Sequence, residues 1–219
     1  EMVEGRTLWD GSLPGMAPAE RTAHYDAITD TLAALHGVDV AVVGLGDYGK
    51  PGNYFERQVA RWSNQYRMSQ TDDLPQIDKL IEWLPRTVPE QTRTSIVHGD
   101  FRIDNLIFDA GGPRILAVLD WELSTLGDPL ADFSYYLMSW VTEPEGRSGV
   151  KGMTGDSGIP PLEAVVERYC AATGRQGVPD LDWYFAYNLF RLTGIVQGIK
   201  KRMIDGNASS TQAAATVER

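Results

Sequence analysis

Five polar residues in a largely apolar stretch invite a chemical reading: His98, Asp100, Asn105, Asp120 and Glu122. The first three lie in SIVHGDFRIDNLIFD, residues 95–109, and the last two close RILAVLDWE, residues 114–122. A strand that only fills a core has no use for so polar a mouth. A carboxylate, an amide oxygen five residues on and a second carboxylate across a hairpin suit phosphoryl transfer from a nucleotide to a hydroxyl. That reaction needs a base to orient the hydroxyl and take its proton, and hard oxygens to hold Mg2+ on the phosphates. Asp100 would be the base, with Asn105 and Asp120 the metal ligands. Mg2+ keeps several waters, so two or three protein ligands suffice. Two other readings stay open. One is a metal-dependent hydrolase built on His98, Asp100, Asp104, Asp120 and Glu122. The other is a non-catalytic nucleotide-binding or scaffold domain.

The elements that must position these groups can be read from local patterns. Residues 18–36 carry Pro18 near the start and Tyr25, Ile28, Leu32 and Leu35 at helical spacing, with Gly37 as the stop. A second helix carries Phe55, Val59, Trp62 and Tyr66 on one face, and a third spans about 74–84, ended by Pro85. The runs NLIFD and RILAVLD, joined by Ala-Gly-Gly-Pro, predict a β-hairpin. GDPLADFSYYLMSW starts a helix with Asp128 at the cap and Pro129 in the first turn. Residues 142–160 read as a mobile surface loop, followed by helices at about 161–173 and 180–204 and a tail of small residues. The fold class is therefore α+β, mostly helical, around a small polar hairpin.

GLGDYG, residues 44–49, matches the G-x-G-x-x-G pattern of nucleotide-binding loops. A dinucleotide fold requires a helix to begin inside that motif. Lys50-Pro51-Gly52-Asn53 follows instead, so the expectation is an ordinary connecting loop.

VHGDFRIDNLIFD together with VLDWELSTLGDPLADFSYYL resembles the C-terminal lobe of the aminoglycoside phosphotransferase and choline kinase-like superfamily, a protein kinase-like fold. GKPGNYFERQVARW and EMVEGRTLWDG are similar to a bacterial subgroup related to the kinase-like domains fused to some acyl-CoA dehydrogenases. The resemblance implies an enzyme using Mg2+ and ATP, or GTP, with Asp100 as catalytic base and Asn105 and Asp120 on the metal. It implies that Glu122 either assists a second metal or is a surface carboxylate, and that His98 braces the catalytic loop. Asp128 and Asp132 would be structural acids, while Asp104 and Arg102 are expected to face solvent. The family's phosphate-covering loop and phosphate-gripping lysine are not found in these 219 residues. The expectation is a missing N-terminal lobe, residues 1–8 as interlobe hinge with the backbone of Glu1 and Val3 at the adenine, a helical lobe over 9–206 and a tail over 207–219. On that expectation the chain alone transfers phosphate poorly or not at all.

Composition narrows the partners. Twenty basic against thirty acidic residues give a net charge of −10, which argues against a nucleic-acid backbone as ligand. No apolar run approaches the roughly 20 residues of a membrane span. The single Cys170 cannot form an internal disulfide, and a cytoplasmic setting is expected. The expected partners are a nucleotide and a hydroxylated small-molecule acceptor. Trp62, Tyr66, Tyr135, Tyr136, Trp183 and Tyr184 either line an acceptor pocket or, more in keeping with helical aromatics, fill the core.

Overall fold

Helix α1 spans Pro18–His36, with the bounds its sequence dictates. Pro18 occupies the first turn, and the Glu20 carboxylate accepts the Ala17 N–H at 2.7 Å. The Gly37 N–H closes the far end on Ala33 O. Tyr25, Ile28 and Leu32 form the buried face. The computed structural model describes residues 2–144 and 149–207. These divide into two units, Glu1–Gly52 with Thr92–Leu181, and Asn53–Gln91 with Asp182–Arg219.

Among the described residues, the first unit holds all the strands. Strand β1 (Arg6–Thr7) pairs antiparallel with β3 (Leu106–Phe108), which pairs antiparallel with β4 (Ile115–Val118). The predicted hairpin is thus present, and the start of the chain adds a third strand to it. A separate two-stranded ladder joins β2 (Ser95–Val97) to β5 (Thr125–Gly127), with Val97 opposite Thr125. Helix α4 (Leu130–Val141) is buried on almost every side and stacks Phe133 on Tyr169 of α5 (Leu162–Thr173), with ring centroids 3.7 Å apart. The Asp128 carboxylate caps α4 through the Leu130 N–H at 2.9 Å.

The expected surface loop is partly packed over residues 149–160. Val150 and Ile159 are buried, and the loop is pinned by Arg21 to Ser157 O and by Trp140 Nε1 to Pro160 O. Two apolar side chains among glycines and serines are enough to fasten it. Residues 145–148 lie outside the described part of the chain, as do 208–219 of the expected tail.

The second unit consists of α2 (Tyr54–Ser69), α3 (Pro75–Trp83) and α6 (Leu181–Ile204). Phe55 sits within 5.1–5.2 Å of the rings of Trp183, Tyr184 and Tyr187. Tyr66, Trp183 and Tyr184 are therefore core residues, whereas Trp62 is half-buried, with the guanidinium groups of Arg61 and Arg191 over its ring. Asp72 ties α6 to the loop after α2. Hydrogen bonds from Lys200, Gln197 and Thr71 hold its carboxyl down at about 2. Among the described residues no helix is long and apolar enough to cross a membrane.

The 44–49 glycine motif forms a run of turns in which no helix begins; α2 starts only at Tyr54. Its last glycine has a packing role. A Cβ on Gly49 would collide with Thr125 Oγ1 and the Leu126 N–H, and the Tyr48 hydroxyl hydrogen-bonds Ser124 Oγ. The loop is seated against the start of β5.

Candidate active site

Strand β2 is wholly buried and delivers the chain to His98. There Asp132, in the first turn of α4 and 1% exposed, accepts two consecutive backbone N–H groups, from His98 at 2.5 Å and Gly99 at 2.7 Å. His36 Nε2 lies 3.4 Å from the same carboxylate, and His36 Nδ1 is 2.7 Å from the Tyr169 hydroxyl. The loop is thus fastened to a buried chain of side chains from α4, α1 and α5.

His98 is engaged at both ring nitrogens. Nε2 faces Leu119 O at 2.7 Å, and Nδ1 faces the Asp100 N–H at 3.2 Å. A carbonyl can only accept and an amide N–H can only donate, so the ring is neutral with its proton on Nε2. In this geometry His98 joins the loop to the end of β4. Neither nitrogen remains for a metal, which removes a ligand from the hydrolase reading.

Gly99 has φ of +87° and a would-be Cβ 2.8 Å from Leu123 O. Gly99→Ala meets both a strained backbone and a backbone collision. It is expected to cost about 1–3 kcal/mol, read as a lowered urea midpoint at constant slope.

Past this turn, polar and apolar side chains alternate. Phe101 and Ile103 are buried and pin the loop, while Asp100 and Arg102 face outward. The Asp100 side chain is 25% exposed. Asn105, 5% exposed, donates from Nδ2 to Asp100 O at 2.8 Å and to Asp100 Oδ2 at 3.1 Å. Arg102 Nε approaches the same Oδ2 at 3.3 Å, and its Nη2 pairs with Asp104 at 3.1 Å. Arg102 is half-exposed, in keeping with expectation, but Asp104 is not solvent-facing. Its side chain is only 10% exposed, because the neighbouring guanidinium gives the carboxylate a partner out of water.

The hairpin returns the second carboxylate. The Leu119 N–H donates to Asn105 O at 2.8 Å, extending the β3–β4 ladder and setting Asp120 beside Asn105 in the chain path. Asp120 is exposed and adopts a left-handed backbone, φ +61° and ψ +53°, ahead of a single 3-10 turn over Trp121–Leu123. A non-glycine residue there is uncommon and belongs with the strained positions that cluster at functional sites. Glu122 lies exposed in that turn, and Trp121 packs its ring 4.9 Å from His98. Val3 is half-buried just ahead of β1, and Glu1 lies outside the described residues.

The donor set suits a hard cation. With Nδ2 spent on Asp100, the Asn105 amide keeps its oxygen for a ligand, and Asp120 presents an exposed carboxylate. Among the described residues no three His, Cys, Asp or Glu side chains converge as a metal cluster. A site of one amide, one carboxylate and water is the kind Mg2+ accepts.

A mostly helical α+β unit with an acid on a tight loop and a second acid across a hairpin defines a kinase-like class of protein. The chain belongs to the phosphotransferase enzyme family, whose model matches residues 1–184. It is 42% identical over 217 residues to acyl-CoA dehydrogenase family member 10 of Mus musculus, covering 97% of this chain and 20% of that protein. The chain thus spans about a fifth of the length of that relative. A crystal structure from Ralstonia eutropha JMP134, described as a candidate aminoglycoside phosphotransferase, is 52% identical, with TM-score 0.96, over 100% of this chain and 68% of that one. The fold also matches a thermostable mutant of aminoglycoside phosphotransferase APH(4)-Ia in ternary complex with ADP and hygromycin B. That match has 16% identity and TM-score 0.58 over 98% of this chain and 67% of that one.

Sequence reasoning singled out Asp128 and Asp132 but not the His36–Tyr169 pair behind them. Their signal was weak, since a histidine at the end of one helix and a tyrosine within another read as ordinary packing.

Proposed function

We propose that the chain is the acceptor-phosphorylating part of a small-molecule kinase that moves the γ-phosphoryl group of ATP, or GTP, to a hydroxyl. The observation that carries this reading is the state of Asp100. Its Oδ2 is held by Asn105 and Arg102, which leaves Oδ1 to meet a substrate. The acceptor hydroxyl donates to Oδ1. As its oxygen forms the new bond to phosphorus and the bond to the β-phosphate oxygen breaks, its proton passes to Asp100. Arg102 and Asn105 keep the carboxylate aimed through that step. Bound Mg2+ would neutralise charge on the phosphates, with Asn105, Asp120 and, for a second ion or its waters, Glu122 as the residues that hold it. His98 keeps the loop in register. The backbone of Glu1 and Val3 is our expected adenine contact, with residues 9–206 as the helical lobe. The ADP and hygromycin B held in the APH(4)-Ia complex support a nucleotide and a hydroxylated acceptor here.

The test is an ATP-consumption screen of the natural full-length polypeptide against hydroxylated metabolites, alongside Asp120→Ala. Wild type should consume ATP only with an acceptor. Asp120→Ala should lower metal-supported turnover by on the order of 100-fold. Phosphate released to water at the same rate without any acceptor would overturn the reading.

A further inference from the structure

Asp120 and Glu122 stand on a turn with little packing of its own. The 3-10 turn Trp121–Leu123 has no buried residue, and Trp121 and Leu123 are 40% and 46% exposed. Apolar burial therefore does little to fix where the two carboxylates point, and hydrogen bonds carry more of that task. Trp121 Nε1 donates to Val118 O at 2.8 Å, which ties the turn to its own strand. The Ser124 N–H and Oγ both donate to Trp121 O, at 3.0 and 2.5 Å. A hydroxyl has one proton, and Ser124 gives its own to that carbonyl. The Tyr48 hydroxyl, paired with Ser124 Oγ from 76 residues away, is then the donor in their bond. The result is a directed chain from Tyr48 through Ser124 to the Trp121 carbonyl, between the two acids. Tyr48 belongs to the 44–49 glycine motif, and its loop has internal bonds of its own. Asp39 accepts the Ala41 and Val42 N–H groups, the Leu45 N–H donates to Val40 O at 2.8 Å, and the Tyr48 N–H donates to Leu45 O at 3.1 Å. At Gly49 the same loop is seated on Thr125 and Leu126.

We propose that Tyr48 is a positioning residue for metal binding, acting through Ser124 to hold the turn that carries Asp120 and Glu122. This inference rests on the reading of those acids as the groups that hold Mg2+. It gives the glycine motif a part in the site through its tyrosine side chain, where nucleotide-binding loops use backbone amides. Tyr48 is 42% exposed, so its bond adds little to the stability of the whole chain. A metal site is more demanding than the fold, because its ligands must be held to within about 0.5 Å of a productive geometry.

The test is Mn2+ binding to the natural full-length polypeptide in the presence of ADP, read from water-proton relaxation, which follows the metal without turnover. Tyr48→Phe should weaken Mn2+ binding by about three- to ten-fold, with the unfolding midpoint of the metal-free protein within roughly 2 °C of wild type. That is less than the roughly 10- to 100-fold typical of a direct partner of a metal ligand, because Tyr48 acts through Ser124. Ser124→Ala should weaken binding by a similar factor, and the double variant should be no weaker than Ser124→Ala alone. Asp120→Ala should weaken binding most. Tyr48 loses this role if Tyr48→Phe binds Mn2+ as wild type does while Asp120→Ala does not, or if the two single effects multiply in the double variant. Wild-type Mn2+ binding by Asp120→Ala would overturn the metal reading itself, and this inference with it.

Discussion

Asp100→Asn is expected to lower the rate of phosphoryl transfer by on the order of 10³-fold while leaving the fold intact. Loss of a positioned general base typically costs 10²- to 10⁴-fold, about 3–5 kcal/mol of barrier. The substitution is nearly isosteric, and an asparagine oxygen can still accept from Asn105 Nδ2. What it cannot do is take a proton from the acceptor. The measurement is a single-turnover rate at saturating ATP and acceptor, with the unfolding midpoint as control. A rate unchanged within a factor of three, at unchanged stability, would remove Asp100 from the role of base.

Asp132→Ala is expected to be the most damaging single change to stability. It removes the carboxylate that accepts the backbone N–H groups of His98 and Gly99. It also takes an anion away from His36. Hydrogen bonds to a charged acceptor are worth about 1.5–3 kcal/mol, and opening a buried polar network by removing one member costs about 3–5 kcal/mol. For a chain of this size that corresponds to a midpoint lower by roughly 6–15 °C. Asp132→Asn keeps the shape and one acceptor oxygen, so it should fall between wild type and alanine. Equal midpoints for all three proteins would show that the loop is held by other contacts.

The parts of the structure that sequence made legible are those with a local cause. Helix α1 begins at a proline and ends at a glycine, with Tyr25, Ile28 and Leu32 on a helical period between them. The hairpin is spelled by two apolar runs around a glycine-rich turn. The glycine motif at 44–49 was rightly discounted because a proline follows it. Pairings made over distance left no such trace. Strands β1, β2 and β5 are two or three residues long, too short to show a period, and their partners lie far along the chain. Asp104 was misjudged for a different reason. Its partner, Arg102, is only two residues away, but the 3-10 turn that brings them together cannot be read from composition.

The short ladder between β2 and β5 also has a topological consequence. With Val97 set opposite Thr125, everything from His98 to Ser124 becomes a closed excursion whose two feet are tied together. The entropy of bringing those feet together is met at the ladder, and it grows only slowly with the length of what lies between. Residues can therefore be gained or lost at the outer bend, around Ala110–Pro113, without changing where either foot stands. Spacing between Asn105 and Asp120 is free to drift along the chain while the Leu119–Asn105 hydrogen bond keeps the two stems in register. Within such an excursion, the count of residues separating two functional groups is a poor measure of their distance.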